Sequence, residues 1–175
     1  MSTCVVLLRA VNVGGAKLPM ADLRELAADL GATEVSTFIA SGNLICDPPK
    51  DVKAFGAGLE KAIEKEFGFF RECIIRTPAE LTKARTNYPF DVDDPKNGHI
   101  VFLLDQPTKA AIAKARDFQT GADRWEVVGR EMHIRYDHGA GRPDMNGPAI
   151  GKALDVPGTS RNLRTVEKLI ELSSG

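Results

Sequence analysis

Cys4-Val5-Val6-Leu7-Leu8, running into Arg9-Ala10-Val11-Asn12-Val13-Gly14-Gly15-Ala16-Lys17, decides the reading of this chain. Five apolar residues without alternation describe a strand buried on both faces, hence central in its sheet. Pro19 then opens a helical pattern with Met20, Leu23, Leu26 and Leu30 as its apolar stripe and Gly31 as its stop. Val35 to Ala40 reads as a second strand, Ser41-Gly42 as a turn, and Asn43 to Asp47 as a third strand. Asp51 can cap the next helix, whose stripe is Val52, Phe55, Leu59, Ile63 and Phe67, closed by Gly68. Phe69 to Arg76 makes a fourth strand. The order β-α-β-β-α-β is the split βαβ of ferredoxin-like folds. Right-handed crossovers then give the sheet order 4-1-3-2, with the apolar first strand inside.

Beyond Arg76 the pattern restarts. Thr77-Pro78-Ala79-Glu80 is a capping box that opens a short helix to about Arg85, and Asn87 to Gly98 reads as a linker. His99 to Leu104 is again an apolar strand, and Pro107 to Phe118 a helix with Ala111, Ile112, Ala115 and Phe118 inward. Trp125–Val128 and Glu131–Tyr136 form a hairpin about Gly129-Arg130, with His133 on the outward side. Asp137 to Gly158, about 20 residues rich in glycine and proline, is a long loop of the kind that binds or closes over ligands, with a short helix near Met145 to Leu154. A last helix follows Thr159-Ser160. The expected fold is therefore α+β, with two ferredoxin-like (βαββα) halves and antiparallel sheets, the second lacking its fourth strand. Residues 1–77 form the first half, 78–98 the helix and linker, and 99–175 the second half with its 137–158 loop. The repeat is one of element order rather than of residues.

Composition narrows the function classes. The chain has 175 residues, 43% hydrophobic and 27% charged, with a net charge of −1. A chain of about 150 residues buries roughly 70% of its unfolded surface, so no staple is required. Near-neutral charge gives no argument for a nucleic-acid or membrane partner. Cys4, Cys46 and Cys73 are odd in number and lack CxxC spacing, which fits packing in a reducing, cytoplasmic setting. The sheet order sets the strands that carry them side by side. No apolar run is long enough for a signal core or a membrane span. His99, His133 and His138 lack metal-ligand spacing, and Asp91, Asp93 and Asp94 lack that of a calcium loop, so neither metal nor cofactor is expected.

Two places could hold an anion. The first is the Arg9–Lys17 loop, where Gly14 and Gly15 permit close backbone approach between two cations at a helix entry. It is neither a Walker loop nor GxGxxG. In a βαββαβ unit this loop and the β-turn lie at the same end, which brings Arg9, Asn12, Gly14, Gly15 and Lys17 toward Ser41, Gly42 and Asn43. The plain alternative is a glycine turn with solvated cations. The second place is Thr159, Ser160, Arg161, Asn162 and Arg164, with a capped helix start and two arginines in its first turn. Cations there oppose the helix dipole unless an anion, or an internal acid, compensates.

The stretches LLRAVNVGGAKLPM, FIASGN and TSRNLRTVEKL, in that order, resemble the domain of unknown function 1697 family. That family shows R-x-x-N-V-G-G after a strand, a Q/A-S-G-N turn and a C-terminal T-x-R-N-x-x-T-V-x-K-L helix. The chain departs at Leu163, where members often carry an aromatic residue. The resemblance implies paired ferredoxin-like domains and no mechanism. The leading expectation is an uncharacterised protein that binds a phosphate- or carboxylate-bearing small molecule, such as a nucleotide or RNA end, at the first place. The alternatives are a structural or interaction module without a pocket, and a small enzyme on an anionic substrate whose general base is unidentified. A nucleic-acid sheet binder is disfavoured, because the first and third strands carry no aromatic. Oligomeric state leaves no mark on the sequence.

Overall fold

The computed structural model describes residues 2–175. Cys4–Leu8 forms β1, and every residue of it is buried. It lies between β3 (Asn43–Asp47) and β4 (Cys73–Arg76), antiparallel to both, with Cys4 opposite Cys46 and Leu8 opposite Cys73. β2 (Thr33–Thr37) completes the order β2-β3-β1-β4, which is the 4-1-3-2 expected from the sequence. One face of the sheet presents Cys4, Val6, Leu8, Leu44 and Cys46 to two helices. These are α1 (Met20–Asp29), through Leu23 and Ala27, and α2 (Val52–Phe67), through Phe55, Leu59 and Ile63. Each such aliphatic side chain contributes about 1.5–3 kcal/mol by leaving water. The opposite face, with Val5, Leu7, Ile45 and Ile74, is closed to solvent as well.

Local signals place the ends of these elements. Asp51 accepts the Ala54 N–H at 2.9 Å to cap α2, and Gly68 ends it in the left-handed conformation. The second strand lies two to three residues earlier than Val35–Ala40. Phe38 to Gly42 are consumed in a wider hairpin loop, where the Phe38 N–H donates to Asn43 O at 3.0 Å. β2 is an exposed edge with a register shift between Thr33 and Ser36, which blunts it against pairing with other chains. β4 starts at Cys73 rather than Phe69.

The capping box forms as expected. The Thr77 N–H donates to Glu80 Oε2 at 2.8 Å, and the Glu80 N–H to Thr77 Oγ1 at 3.1 Å, at the start of α3 (Pro78–Thr86). In the second half β5 (Gly98–Leu103) is central, and α4 (Lys109–Ala115) is shorter than Pro107–Phe118 because Thr108 is its cap. β6 (Arg124–Val128) and β7 (Glu131–Arg135) form the hairpin, and α5 (Gly147–Leu154) lies inside the long loop.

Two expectations need correction. The second sheet does not lack a fourth strand: β8 (Gly158–Asn162) pairs with β5 and gives the order β6-β7-β5-β8, the same as in the first sheet. Gly-Thr-Ser-Arg-Asn carries a single strand-favouring residue, Thr159, and its state is fixed by the partner strand instead. A Cβ at Gly158 would stand 2.8 Å from the Leu103 and Val101 side chains, so close approach requires glycine there. The last helix, α6 (Leu163–Ser173), accordingly starts after Asn162, whose Oδ1 accepts the Thr165 N–H at 2.9 Å. Thr159 and Ser160 are strand residues, not its cap.

The repeat also reaches individual residues. In each half a buried arginine closes the fourth strand region, Arg76 or Arg161, and the next residue, Thr77 or Asn162, caps a helix. Each arginine also donates through NH1 to the carbonyl before it, at 3.1 Å to Ile75 and 2.9 Å to Ser160. Two compact units divide the chain: one takes in the residues up to Thr82 together with Leu169–Gly175, the other Lys83–Lys168. The fold is mixed α and β, with two four-stranded antiparallel sheets, consistent with two ferredoxin-like halves.

Candidate functional site

At the far end of β1 the chain enters Arg9–Lys17, and the expected convergence on the Ser41–Asn43 turn is present. The Leu8 N–H donates to Gly42 O at 2.9 Å. Asn12 Nδ2 donates to the carbonyls of Leu18, at 3.0 Å, and Ala40, while its Oδ1 accepts the Leu18 N–H at 2.8 Å. Asn12 is therefore a staple between the two loops. Asn43 is fully buried and donates to Phe38 O at 2.9 Å and Ser41 Oγ at 3.1 Å. These amides hold the scaffold rather than face a ligand.

Gly14 and Gly15 have φ of 57° and 87°, and nothing lies within 4 Å of where a Cβ would stand on either. Their role is backbone conformation, not packing. Among the described residues no hydrogen bond is formed to the N–H groups of Val13, Gly14 and Gly15. Ala10, Asn12 and Ile39 add left-handed backbone at non-glycine positions, with φ of 51°, 56° and 53°. Such conformations cost about 1–3 kcal/mol each and concentrate at functional loops. Lys17 is exposed, and Arg9 pairs with Glu72 at 3.5 Å across solvent. Arg71 joins them: its Nε donates to Ala10 O at 3.2 Å. Val13, Ile39 and Phe70 are exposed on the same loops. The sheet order puts Arg71 and Glu72 at this end, since β4 begins where β1 ends, but neither belongs to the loop motif that Arg9 and Lys17 bracket.

The 159–164 cluster is built differently from the expected helix start. Thr159 and Arg161 are buried on β8, opposite Phe102 and Ile100, and Arg161 NH1 donates to Thr159 Oγ1 at 2.6 Å. Burial lowers the Arg161 guanidinium to about 10, so it stays charged at neutral pH. Arg164 is the exposed arginine of the first helical turn. Strand pairing takes Arg161 out of α6, so of the two arginines only Arg164 opposes the helix dipole. Leu163 is a packing residue: a Cβ on Gly98 would stand 2.5 Å from its Cδ1 and 2.7 Å from the Tyr88 hydroxyl.

Ser160, by contrast, is exposed, and its Oγ lies 3.1 Å from His99 Nδ1. His99 Nε2 lies 3.2 Å from the Lys96 carbonyl, which can only accept. The ring proton is thus on Nε2, and Nδ1 accepts the serine hydroxyl. Burial lowers the His99 pKa, only partly offset by the Lys96 carbonyl, so the ring is neutral at pH 7. No sequence spacing reveals this pair, because β8 itself was not legible.

The long loop after β7 is pinned from below. Asp123 is fully buried, with Oδ1 accepting the Asp137 N–H at 2.8 Å and Oδ2 those of Asp144 at 2.7 Å and Met145 at 3.0 Å. A polar cleft of about 290 Å³ beside it is lined by Asp91, Asp93, Asn97, Arg135, Tyr136 and Asp137. Among the described residues no group of three metal-ligating side chains occurs. His133, expected to face outward, is fully buried, and neither ring nitrogen has a hydrogen-bond partner. The face opposite α4 and α5 is not a solvent face, since Ile100 and Phe102 are buried there too. Tyr88 meets the His133 ring edge-on at 5.6 Å, and its hydroxyl donates to Ile134 O at 2.7 Å.

The family model described as "Protein of unknown function (DUF1697)" matches residues 1–133. No curated protein matches the sequence. Among solved structures, the conserved bacterial protein SP0830 from Streptococcus pneumoniae superposes with a TM-score of 0.73 at 19% identity, over 100% of this chain and 99% of that one. At that identity the likeness speaks for the fold alone. A protein described as a glycine cleavage system transcriptional repressor, 12% identical over 91% of this chain and 95% of that one, reaches a TM-score of 0.23 and carries no argument. No helix among the described residues is long and apolar enough to cross a membrane.

Proposed function

From the premise that the chain belongs to the DUF1697 family of proteins of unknown function, we propose that the loop end of its first unit binds a phosphate- or carboxylate-bearing small molecule, such as a nucleotide. The observation that carries this reading is the run of N–H groups on Val13, Gly14 and Gly15 that no described residue accepts from, on the loop that Arg9 and Lys17 bracket and whose Ala10 carbonyl Arg71 holds. Backbone N–H groups on glycine loops, flanked by cations, favour negative charge. The Arg9–Glu72 contact is solvent-exposed and worth under about 1 kcal/mol, so an anion can displace it. Asn12, Ser41 and Asn43 hold the loops in place. Three free cysteines fit a reducing, cytoplasmic setting.

Thermal-shift measurement with inorganic phosphate, nucleoside monophosphates and citrate tests this. A ligand at 100 times its Kd adds about 2.7 kcal/mol of stability and raises the midpoint. The rise should disappear in a Lys17→Ala, Arg71→Ala double variant. If wild type and variant shift alike, or neither shifts, the reading is wrong.

A second reading, a small hydrolase, is favoured by the Ser160–His99 pair. A serine hydroxyl held by a neutral imidazole, itself oriented by a carbonyl, is the arrangement of an activated nucleophile. Treatment with a serine-directed fluorophosphonate should add label to Ser160 and not to His99→Ala. An unlabelled wild type excludes it.

A further inference from the structure

Two of the three cysteines stand in one cross-strand position. Cys4 on β1 and Cys46 on β3 are directly opposite in the antiparallel register, and their sulfurs are 3.9 Å apart. Directly opposed residues have Cα atoms about 4.5 or 5.5 Å apart, and both values fall inside the roughly 4.4–6.8 Å that a disulfide spans. We propose that Cys4 and Cys46 are a reversible oxidation site, which closes to a cross-strand disulfide when the native protein meets a hydroperoxide.

The sulfurs must close from 3.9 Å to about 2.0 Å, which side-chain rotation and a small shift of the strands can supply. Cβ atoms of opposed strand residues sit about 4.5–5.5 Å apart, wider than the disulfide mean of about 3.8 Å. The bond would therefore be strained, and strained disulfides are the readily reduced ones. The pair also lies one residue inside the surface, since Thr3 and Asp47, next to Cys4 and Cys46, are half-buried. Cys4 is the first residue of β1, and Thr3 Oγ1 donates to Asp47 Oδ1 at 2.7 Å across the strand ends. A cleft of about 370 Å³, lined by Ser2, Asp47, Pro48 and Lys50 among others, opens beside that contact. The hydrogen bond from Cys4 lowers the Cys46 pKa, while the same bond and burial raise that of Cys4. Either thiol can donate to the other's thiolate, and the step runs alike from either side; take Cys46 as the nucleophile. Its thiolate attacks one peroxide oxygen, the O–O bond breaks, and hydroxide leaves to give a sulfenic acid. The Cys4 sulfur then attacks that sulfur and displaces water, its own proton ending on the leaving oxygen. Two thiols and one hydrogen peroxide give one disulfide and two waters. Cys73 is on the other flank of β1, opposite Leu8, and burial raises its pKa, so it stays a thiol.

The test is hydrogen peroxide added to the folded, reduced protein, followed by denaturing alkylation, intact mass and peptide mapping. The expected result is a loss of about 2 Da, one alkylatable thiol in place of three, a Cys4–Cys46 linked peptide, and full reversal by dithiothreitol. Cys73→Ser should still lose about 2 Da, and Cys46→Ser should not. Wild type that keeps three thiols, gains only oxygen at single cysteines, links Cys73, or closes only in urea overturns the proposal. Because the mapping is done on wild type, the outcome does not depend on whether either variant folds.

Discussion

At the scale of single residues, the second unit holds two buried polar groups with opposite fates. Asp123 has its carboxylate filled by the N–H groups of Asp137, Asp144 and Met145. Hydrogen bonds to a charged group contribute about 1.5–3 kcal/mol each, and the donors left behind would be orphaned. Asp123→Ala should therefore lower stability by about 3–5 kcal/mol in urea unfolding, and Asp123→Asn by less. A cost under about 1 kcal/mol would mean the loop is held some other way. His133 is the reverse case, buried with both ring nitrogens unpaired, and burial lowers it from 6.5 to about 4. Between those values the unfolded chain takes up a proton that the folded one refuses. The stability that neutral His133 allows is whole above pH 6.5 and is lost as pH falls toward 4, by about 3 kcal/mol. His133→Leu should flatten that part of the stability-against-pH curve at little cost at pH 7. An unchanged pH profile in the variant would show that His133 is solvated. Alternation made His133 look outward, and only the burial of the second face corrects it.

At the scale of elements, the loop end of the first sheet is one construction rather than two neighbouring loops. Asn12 holds 9–18 to Ala40 while itself in a left-handed conformation, which asparagine tolerates better than most residues. Gly42 allows the approach from the other side: a Cβ there would stand 2.5 Å from Val11 Cγ2 and 3.0 Å from Leu8 Cβ. Asn12→Ala should cost about 2–3 kcal/mol. It should also speed amide exchange in 10–17 and 38–43 together. Faster exchange confined to 10–17 would separate the loops. The helices were legible because caps and breakers are local: Pro19, Asp51, Gly68 and the Thr77–Glu80 box each act within one turn. β8 was not, because only Thr159 in Gly158–Asn162 favours a strand until β5 lies beside it.

At the scale of the whole molecule, each sheet buries both faces of its central strand, so neither offers an open platform. Sheet-binding modules need exposed aromatics on those strands, and here Val5, Leu7, Ile100 and Phe102 are closed off. With a net charge of −1 as well, filter binding to single-stranded RNA should give no retention and no salt slope at the outset of a titration. A slope of several ions would point to a phosphate-tracking surface.

Periodicity, caps and the unbroken β1 run determined the element order of the first half, its 2-3-1-4 sheet and the meeting of its two loops. These follow from the sequence because they depend on spacing and chain direction alone. The fourth strand of the second half, the buried positions of His133 and Arg161, the Asp123 anchor, and the Cys4–Cys46 and Ser160–His99 pairs were decided by tertiary structure. Each depends on which residue a partner strand sets opposite, and register is a property of two strands that neither encodes by itself.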